Sequence, residues 1–228
     1  MVTETKLDNS FQTAQFVIDG YKEPFRLDRN KNGGGVAIYV RDDIPCEQLH
    51  KHTFPSERYE FDNSKGPIEG IFLEINLRKT KWLLFGTYHR PKQNDLYFFD
   101  CVSNALDSYL MTYDKFILAG DFNVQEDEQV IAEFLDKYNA NNLVKNKTCF
   151  KSIKNPSYVD LIITNNCKSF QNTTVVSTGC SDFHKMALTI LKSKFIKAKP
   201  RVIYYRDYTY IKNDQNCFKE TLHRELPN

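Results

Sequence analysis

The chain has 228 residues and a mass of 26.7 kDa, 41% of it hydrophobic and 26% charged, which suits one globular domain and excludes a coiled coil, a collagen-like chain and a wholly disordered polymer. No stretch reaches the roughly 18 unbroken apolar residues of a membrane span, and residues 1–10 have neither the basic opening nor the apolar run of a secretory signal, so an intracellular protein without a membrane partner is expected. The net charge of +2 hides a division, because residues 1–184 hold 21 basic against 25 acidic residues, whereas residues 185–212 hold eight against one. The basic segment suits either a phosphate-meeting surface or a solvated linker.

In chain order, a turn at Gly33, Gly34 and Gly35 leads into a strand at 36–40. The triple glycine is not a phosphate-binding loop, since no Gly-Lys-Ser/Thr follows. Strands at 68–77 and 82–88 flank a polar loop and read as a hairpin. Residues 96–110 place Phe98, Val102, Leu106 and Leu110 on one face, the pattern of an amphipathic helix. A short apolar strand at 116–119 precedes a second helix at 128–138. Strands follow at 158–164, 174–176 and 186–191, and a terminal helix at 217–226. Hairpin strands mixed with flanking helices predict two packed sheets covered by helices, an α/β sandwich rather than a doubly wound parallel sheet. The six cysteines contain no Cys-x-x-Cys pair, which argues against structural zinc and for reduced thiols.

The strand at 116–119 runs into Gly120, Asp121, Phe122 and Asn123. Residues two apart on an extended chain point the same way, so Asp121 and Asn123 project together from the strand end. A carboxylate beside an amide can deprotonate and orient a water, the requirement of phosphodiester hydrolysis; the same residues also suit an Asx turn. Asp160 lies in an apolar strand, where an unpaired carboxylate is costly, and so needs a partner. His184, at the start of the next apolar strand, is the expected one.

The ordered stretches at 4–8, 33–40, 86–91, 120–123, 157–162 and 181–186 resemble the endonuclease/exonuclease/phosphatase superfamily related to DNase I and the apurinic endonucleases. The closer resemblance is to the endonuclease domain of non-LTR (LINE-type, jockey/CR1-like) retrotransposon polyproteins. It implies a four-layer α/β sandwich, DNase I-like, over residues 1–192, with 193–228 a basic linker and short helix leading to a reverse transcriptase domain. It further implies a Mg²⁺- or Mn²⁺-dependent phosphodiesterase, monomeric and nuclear, that nicks DNA to leave a 3′-hydroxyl for target-primed reverse transcription. By position, Glu4 resembles a metal-binding carboxylate, with Asp182 and Asn123 near the same metal. Asp121 resembles the residue that activates water, Asn123 its orienting neighbour, and Tyr88 the tyrosine that hydrogen-bonds the scissile phosphate. Asp160 and His184 resemble a pair that stabilises developing phosphorane charge, and Thr148 and Ser181 supporting hydroxyls. Arg90, Lys192, Lys194 and Lys197 are candidate contacts to the DNA backbone.

Two departures stand out. The Asn-bearing first strand of such domains has no counterpart before Glu4, which predicts unpaired sheet edges and an apolar groove. Phe183 separates Asp182 from His184, which predicts a bulge if both are to face one site. The alternatives are a catalytically inactive remnant or nucleic-acid-binding module with the same fold, and a phosphatase or lipid phosphodiesterase.

Overall fold

The computed structural model describes residues 1–54, 66–77, 80–124, 129–152, 154–179, 181 and 183–192, with 50–54 as backbone alone. Asp182, Lys194, Lys197 and the segment from 193 onward, including the terminal helix expected at 217–226, lie outside the described residues.

Eleven strands and two α-helices are described. The strands are β1 (Val2–Thr3), β2 (Phe25–Leu27), β3 (Val36–Ile38), β4 (Cys46–Phe54), β5 (Ile68–Leu77), β6 (Thr80–Tyr88), β7 (Phe116–Asp121), β8 (Asn141–Asn142), β9 (Asp160–Thr164), β10 (Phe170–Val176) and β11 (Met186–Leu191). The helices are α1 (Asp95–Leu110), between β6 and β7, and α2 (Gln129–Lys137), between β7 and β8. A six-stranded sheet in the order β4-β5-β6-β7-β9-β8 forms the body. Its β5–β6 hairpin pairs along its length as far as Leu77 with Thr80. β6 and β7 run parallel, as the intervening α1 permits, whereas β9 returns antiparallel to β7.

Both faces of this sheet are covered, so β5 and β6 are apolar almost throughout rather than alternating. On one face Phe98, Phe99, Val102 and Leu106 of α1 and Ile131 and Phe134 of α2 pack on Phe72, Phe85, Leu118 and Ile163. The Asn94 side chain caps α1 by accepting from the Tyr97 N–H at 2.8 Å, as the predicted amphipathic helix requires at its start. Each aromatic side chain fully buried there contributes about 1.5–3 kcal/mol. On the other face Ile71, Leu73, Ile75, Trp82 and Tyr88 meet Val36, Ile38, Phe25 and Leu27 of a second layer, together with Phe170 and Leu191.

That second layer is a three-stranded sheet, β1-β3-β2, and a two-stranded ribbon, β10-β11. β2 lies on β4 and β5, β3 on β5 and β6, β1 on β7, and β11 on β9. The layer therefore follows the body strand by strand and is interrupted between β1 and β11, each of which has a single paired neighbour among the described residues. Beneath the interruption Ile117, Ala119 and Ile162 are only half-buried, whereas Leu118, Leu161 and Ile163 on the helix-covered face are fully buried. Among the described residues β1 and β11 thus present unpaired edges over a half-buried apolar strip. Outside β2, Arg26 stacks on Phe16 at 4.8 Å and bonds the Phe11 carbonyl and Asp28, so a short 3-10 turn (Thr13–Phe16) covers that side in place of an α-helix.

Candidate active site

The parallel pairing of β6 with β7 brings their C-terminal ends level. Tyr88 is the register partner of Asp121, and Asp121 that of Asp160 on β9, so three polar side chains stand in one row on one face of the sheet. Close approach of β6 and β7 explains the glycine before the aspartate: a Cβ on Gly120 would lie 1.8 Å from the Thr87 carbonyl oxygen.

Asp121 is 8% exposed. Its carboxyl is pushed up to about 7, first by burial and then by the charges of Asp160 and Glu4; the Asn123 N–H and Lys151 pull the other way. Its Oδ1 accepts from the Asn123 backbone N–H at 3.0 Å, and Asn123 is left-handed at φ 49°. The Asx turn and the projecting carboxylate, alternatives on sequence grounds, are thus the same residues. The Asn123 Nδ2 donates to the His89 carbonyl at 2.7 Å, which fixes the orientation of the amide.

Glu4 reaches the row from the second layer. Lys6 N–H donates to the Gly34 carbonyl at 3.0 Å, and a Cβ on Gly35 (φ 92°) would lie 2.3 Å from Thr5 Oγ1, so the glycine turn seats the segment that carries Glu4. Glu4 Oε1 accepts from the Tyr88 hydroxyl at 2.6 Å. Tyr88 is 1% exposed, not a rim aromatic, and burial together with Glu4 drives its phenol far above the ordinary tyrosine range. The hydroxyl has one proton, which it donates to Glu4, so it is free to donate to another acceptor only when Glu4 is engaged elsewhere.

Glu69 is a site-adjacent residue that the sequence reading missed. It is buried in β5 and accepts from Arg29 Nη1 at 2.6 Å and the Gly35 N–H at 2.7 Å, and Arg29 in turn lies over the Tyr88 ring at 5.8 Å. The signal was present, for an acid between apolar residues of a strand needs a partner by the same reasoning that singled out Asp160.

Asp160 is raised by burial, with Thr148 and the nearby His184 charge lowering it in part. Thr148 is fully buried, and its Oγ1 accepts from the N–H groups of Val159 and Asp160 at 3.2 and 3.1 Å. Among the described contacts, His184 acts on Asp160 through its charge and not through a hydrogen bond or ion pair. A bridge between Cys149 and His184 puts those side chains on one side, with Nε2 3.8 Å from Cys149 Sγ. Ser181 Oγ accepts from the His184 N–H at 3.1 Å. The bulge expected between Asp182 and His184 lies partly outside the described residues; Phe183 itself is exposed ahead of β11.

Arg90 is half-buried against Gly66, with Nε and Nη2 enclosed and without a hydrogen-bond partner among the described residues, and Lys192 is exposed at the end of β11. Among the described residues no three His, Cys, Asp or Glu side chains stand close enough to hold a metal ion by themselves. The donor set nevertheless fits a hard divalent cation in kind: Asp121 feels two other carboxylates, and the nearby groups are oxygen donors without a thiolate cluster.

The fold agrees with known structures. The endonuclease domain of TRAS1, a telomere-specific non-LTR retrotransposon, superposes with TM-score 0.58 at 15% identity, over 79% of this chain and 84% of that one. A 3′ phosphatase from Neisseria bound to a product DNA hairpin gives TM-score 0.58 at 14% identity, over 83% and 86%. A mannosyl-6-phosphatase of Bacteroides thetaiotaomicron gives 0.53 at 18%, over 76% and 78%. No curated protein matches the chain. The model of the endonuclease/exonuclease/phosphatase family matches residues 1–209, and with the α/β sandwich and the carboxylate row in place, the chain belongs to that family.

Proposed function

We propose that this chain is a divalent-metal-dependent DNA endonuclease of a non-LTR retrotransposon open reading frame, nicking DNA to leave a 3′-hydroxyl from which a linked reverse transcriptase primes. The observation that carries the reading is the row of Tyr88, Asp121 and Asp160, with Glu4 brought onto it. Asp121 is the general base: with its carboxyl near 7 it is poised to take the proton of a water attacking phosphorus as the bond to the leaving oxygen breaks. Asn123 orients that water, and Tyr88 donates to a phosphate oxygen once Glu4 is engaged elsewhere. Asp160 and His184 face the charge that develops on the phosphoryl group, with Thr148 and Ser181 holding their backbones. Glu4 and Asn123, joined by Asp182 on the sequence resemblance, are the residues that would hold the cation. When bound, it neutralises the crowded carboxylates and polarises a phosphoryl oxygen. Lys192 and the basic residues beyond it, Lys194 and Lys197 among them, supply salt-sensitive phosphate contacts, and Arg90 a further one if its guanidinium turns outward. Action on chromosomal DNA places the protein in the nucleus.

A nucleic-acid-binding module without catalysis is the second reading, favoured by the interruption between β1 and β11. Incubation of supercoiled plasmid with Mg²⁺ separates the two. The endonuclease reading expects open circles whose nicks a polymerase extends without prior end repair. Salt-sensitive DNA binding with no nicking would support the second reading, and hydrolysis of phosphate monoesters alone would replace both with a phosphatase.

A further inference from the structure

His89 follows Tyr88 directly, yet its side chain does not join the row. It turns to the helix-covered face and is 1% exposed, its ring 4.2 Å from that of Phe98. From there one residue holds three consecutive residues of the candidate site. The His89 backbone N–H donates to the Asp121 carbonyl at 2.8 Å, and the ring Nδ1 contacts the Phe122 carbonyl. The His89 carbonyl accepts from Asn123 Nδ2 at 2.7 Å. A carbonyl oxygen only accepts, so the ring must carry its proton on Nδ1. On the other side the Phe122 N–H donates to the Val159 carbonyl at 2.7 Å. The Phe122 peptide is therefore fixed from both ends immediately before the left-handed residue that projects Asn123.

We infer that His89 is a positioning residue for the reaction proposed above: its Nδ1–H, by holding the Phe122 carbonyl, sets the turn that aims Asn123 beside Asp121. The inference rests on that reading for its catalytic meaning and on geometry alone for the contact. The backbone bonds survive any substitution at 89 except proline, so the ring donor is the part that mutation isolates. Asp95 Oδ1 lies 3.6 Å from Nε2, an ion-pair rather than a hydrogen-bond distance, on the opposite ring nitrogen from the one that holds Phe122.

His89→Asn and His89→Leu make the test, since Asn keeps a donor at the position of Nδ1 whereas Leu has the same branched shape without one. Two quantities are read on variants whose thermal melts show a folded protein: nicking kinetics, and the NMR signals and hydrogen exchange of the Asn123 side-chain amide. His89→Leu is expected to lower kcat by about a hundredfold, with KM for DNA nearly unchanged, and to move the Asn123 amide signals and speed their exchange. His89→Asn is expected to restore both to near the wild-type values. If His89→Leu does not fold, His89→Gln, whose donor falls at Nε2 instead, replaces it in the comparison. Unmoved amide signals, a retained kcat, or failure of His89→Asn to restore either quantity would overturn the inference. If wild-type protein nicks no DNA, the proposed function falls by itself, and the amide signals still decide whether His89 sets the turn.

Discussion

The Tyr88 hydroxyl and Glu4 Oε1 meet at 2.6 Å across 84 residues of sequence, joining the central sheet to the second layer at the candidate site. Tyr88→Phe removes this bond and the donor it keeps in reserve. Nicking is expected to fall by at least about tenfold, with a stability change of at most about 1 kcal/mol by urea titration. Because the phenol sits so far above its ordinary range, Tyr88 gives the pH–rate profile no alkaline limb near pH 10.

Thr148 holds the β9 entry by accepting from two backbone N–H groups out of water. Thr148→Val keeps the shape and leaves both donors without their acceptor. Chemical denaturation is expected to show a loss of about 1–3 kcal/mol, with Asp160 becoming still harder to ionise as the hydroxyl is lost.

The cation site proposed at Glu4 and Asn123, beside the charges of Asp121 and Asp160, predicts that a divalent cation stabilises the fold by mass action, since the native protein binds it and the unfolded chain holds it far more weakly. Thermal melts in Mg²⁺ are expected to rise with concentration in wild-type protein and to rise less in Glu4→Gln. An equal rise in both would remove Glu4 from the set.

The outward side chains Met186, Leu188 and Ile190 of β11 are 47%, 43% and 44% exposed beside a strand edge that has no partner among the described residues. Leu188→Thr with Ile190→Lys is expected to reduce self-association of the purified chain, seen by light scattering, while changing its stability by less than about 1 kcal/mol.

What the sequence disclosed depended on distance along the chain. The Asp121–Asn123 turn is local, a strand followed by turn chemistry, and it stands where it was expected. Helix α1 was legible from its spacing of four, and the β5–β6 hairpin from its two apolar runs. Strand β4 was not foreseen, because Cys46–Phe54 is largely polar and owes its conformation to pairing along β5. Glu4 stood out only by resemblance; the glycine turn seats its segment, a contact no local pattern encodes. For Asp160 the argument that a partner was needed held, but the hydrogen-bonding partner is Thr148; His184 faces Cys149 because the 149–184 bridge dictates its side. Glu69 shows the opposite lesson, since the rule applied to Asp160 would have found it.

The central claim is that Asp121 is a buried base kept at the expense of stability. Its folded value of about 7 exceeds the unfolded 3.8, so the stability it contributes is fully present below about pH 4 and is lost as pH rises through 7. Across that window the loss reaches about 4 kcal/mol in metal-free protein, at roughly 1.4 kcal/mol per pH unit. Asp121→Asn keeps the shape without the charge, and the decisive measurement is its melting temperature and plasmid nicking in one preparation, against wild type, at pH 5 and pH 8. The variant is expected to melt higher than wild type at pH 8, by a margin that shrinks toward pH 5, and to lose nicking at least a hundredfold. Retained nicking, or a variant less stable than wild type at pH 8, would contradict the account.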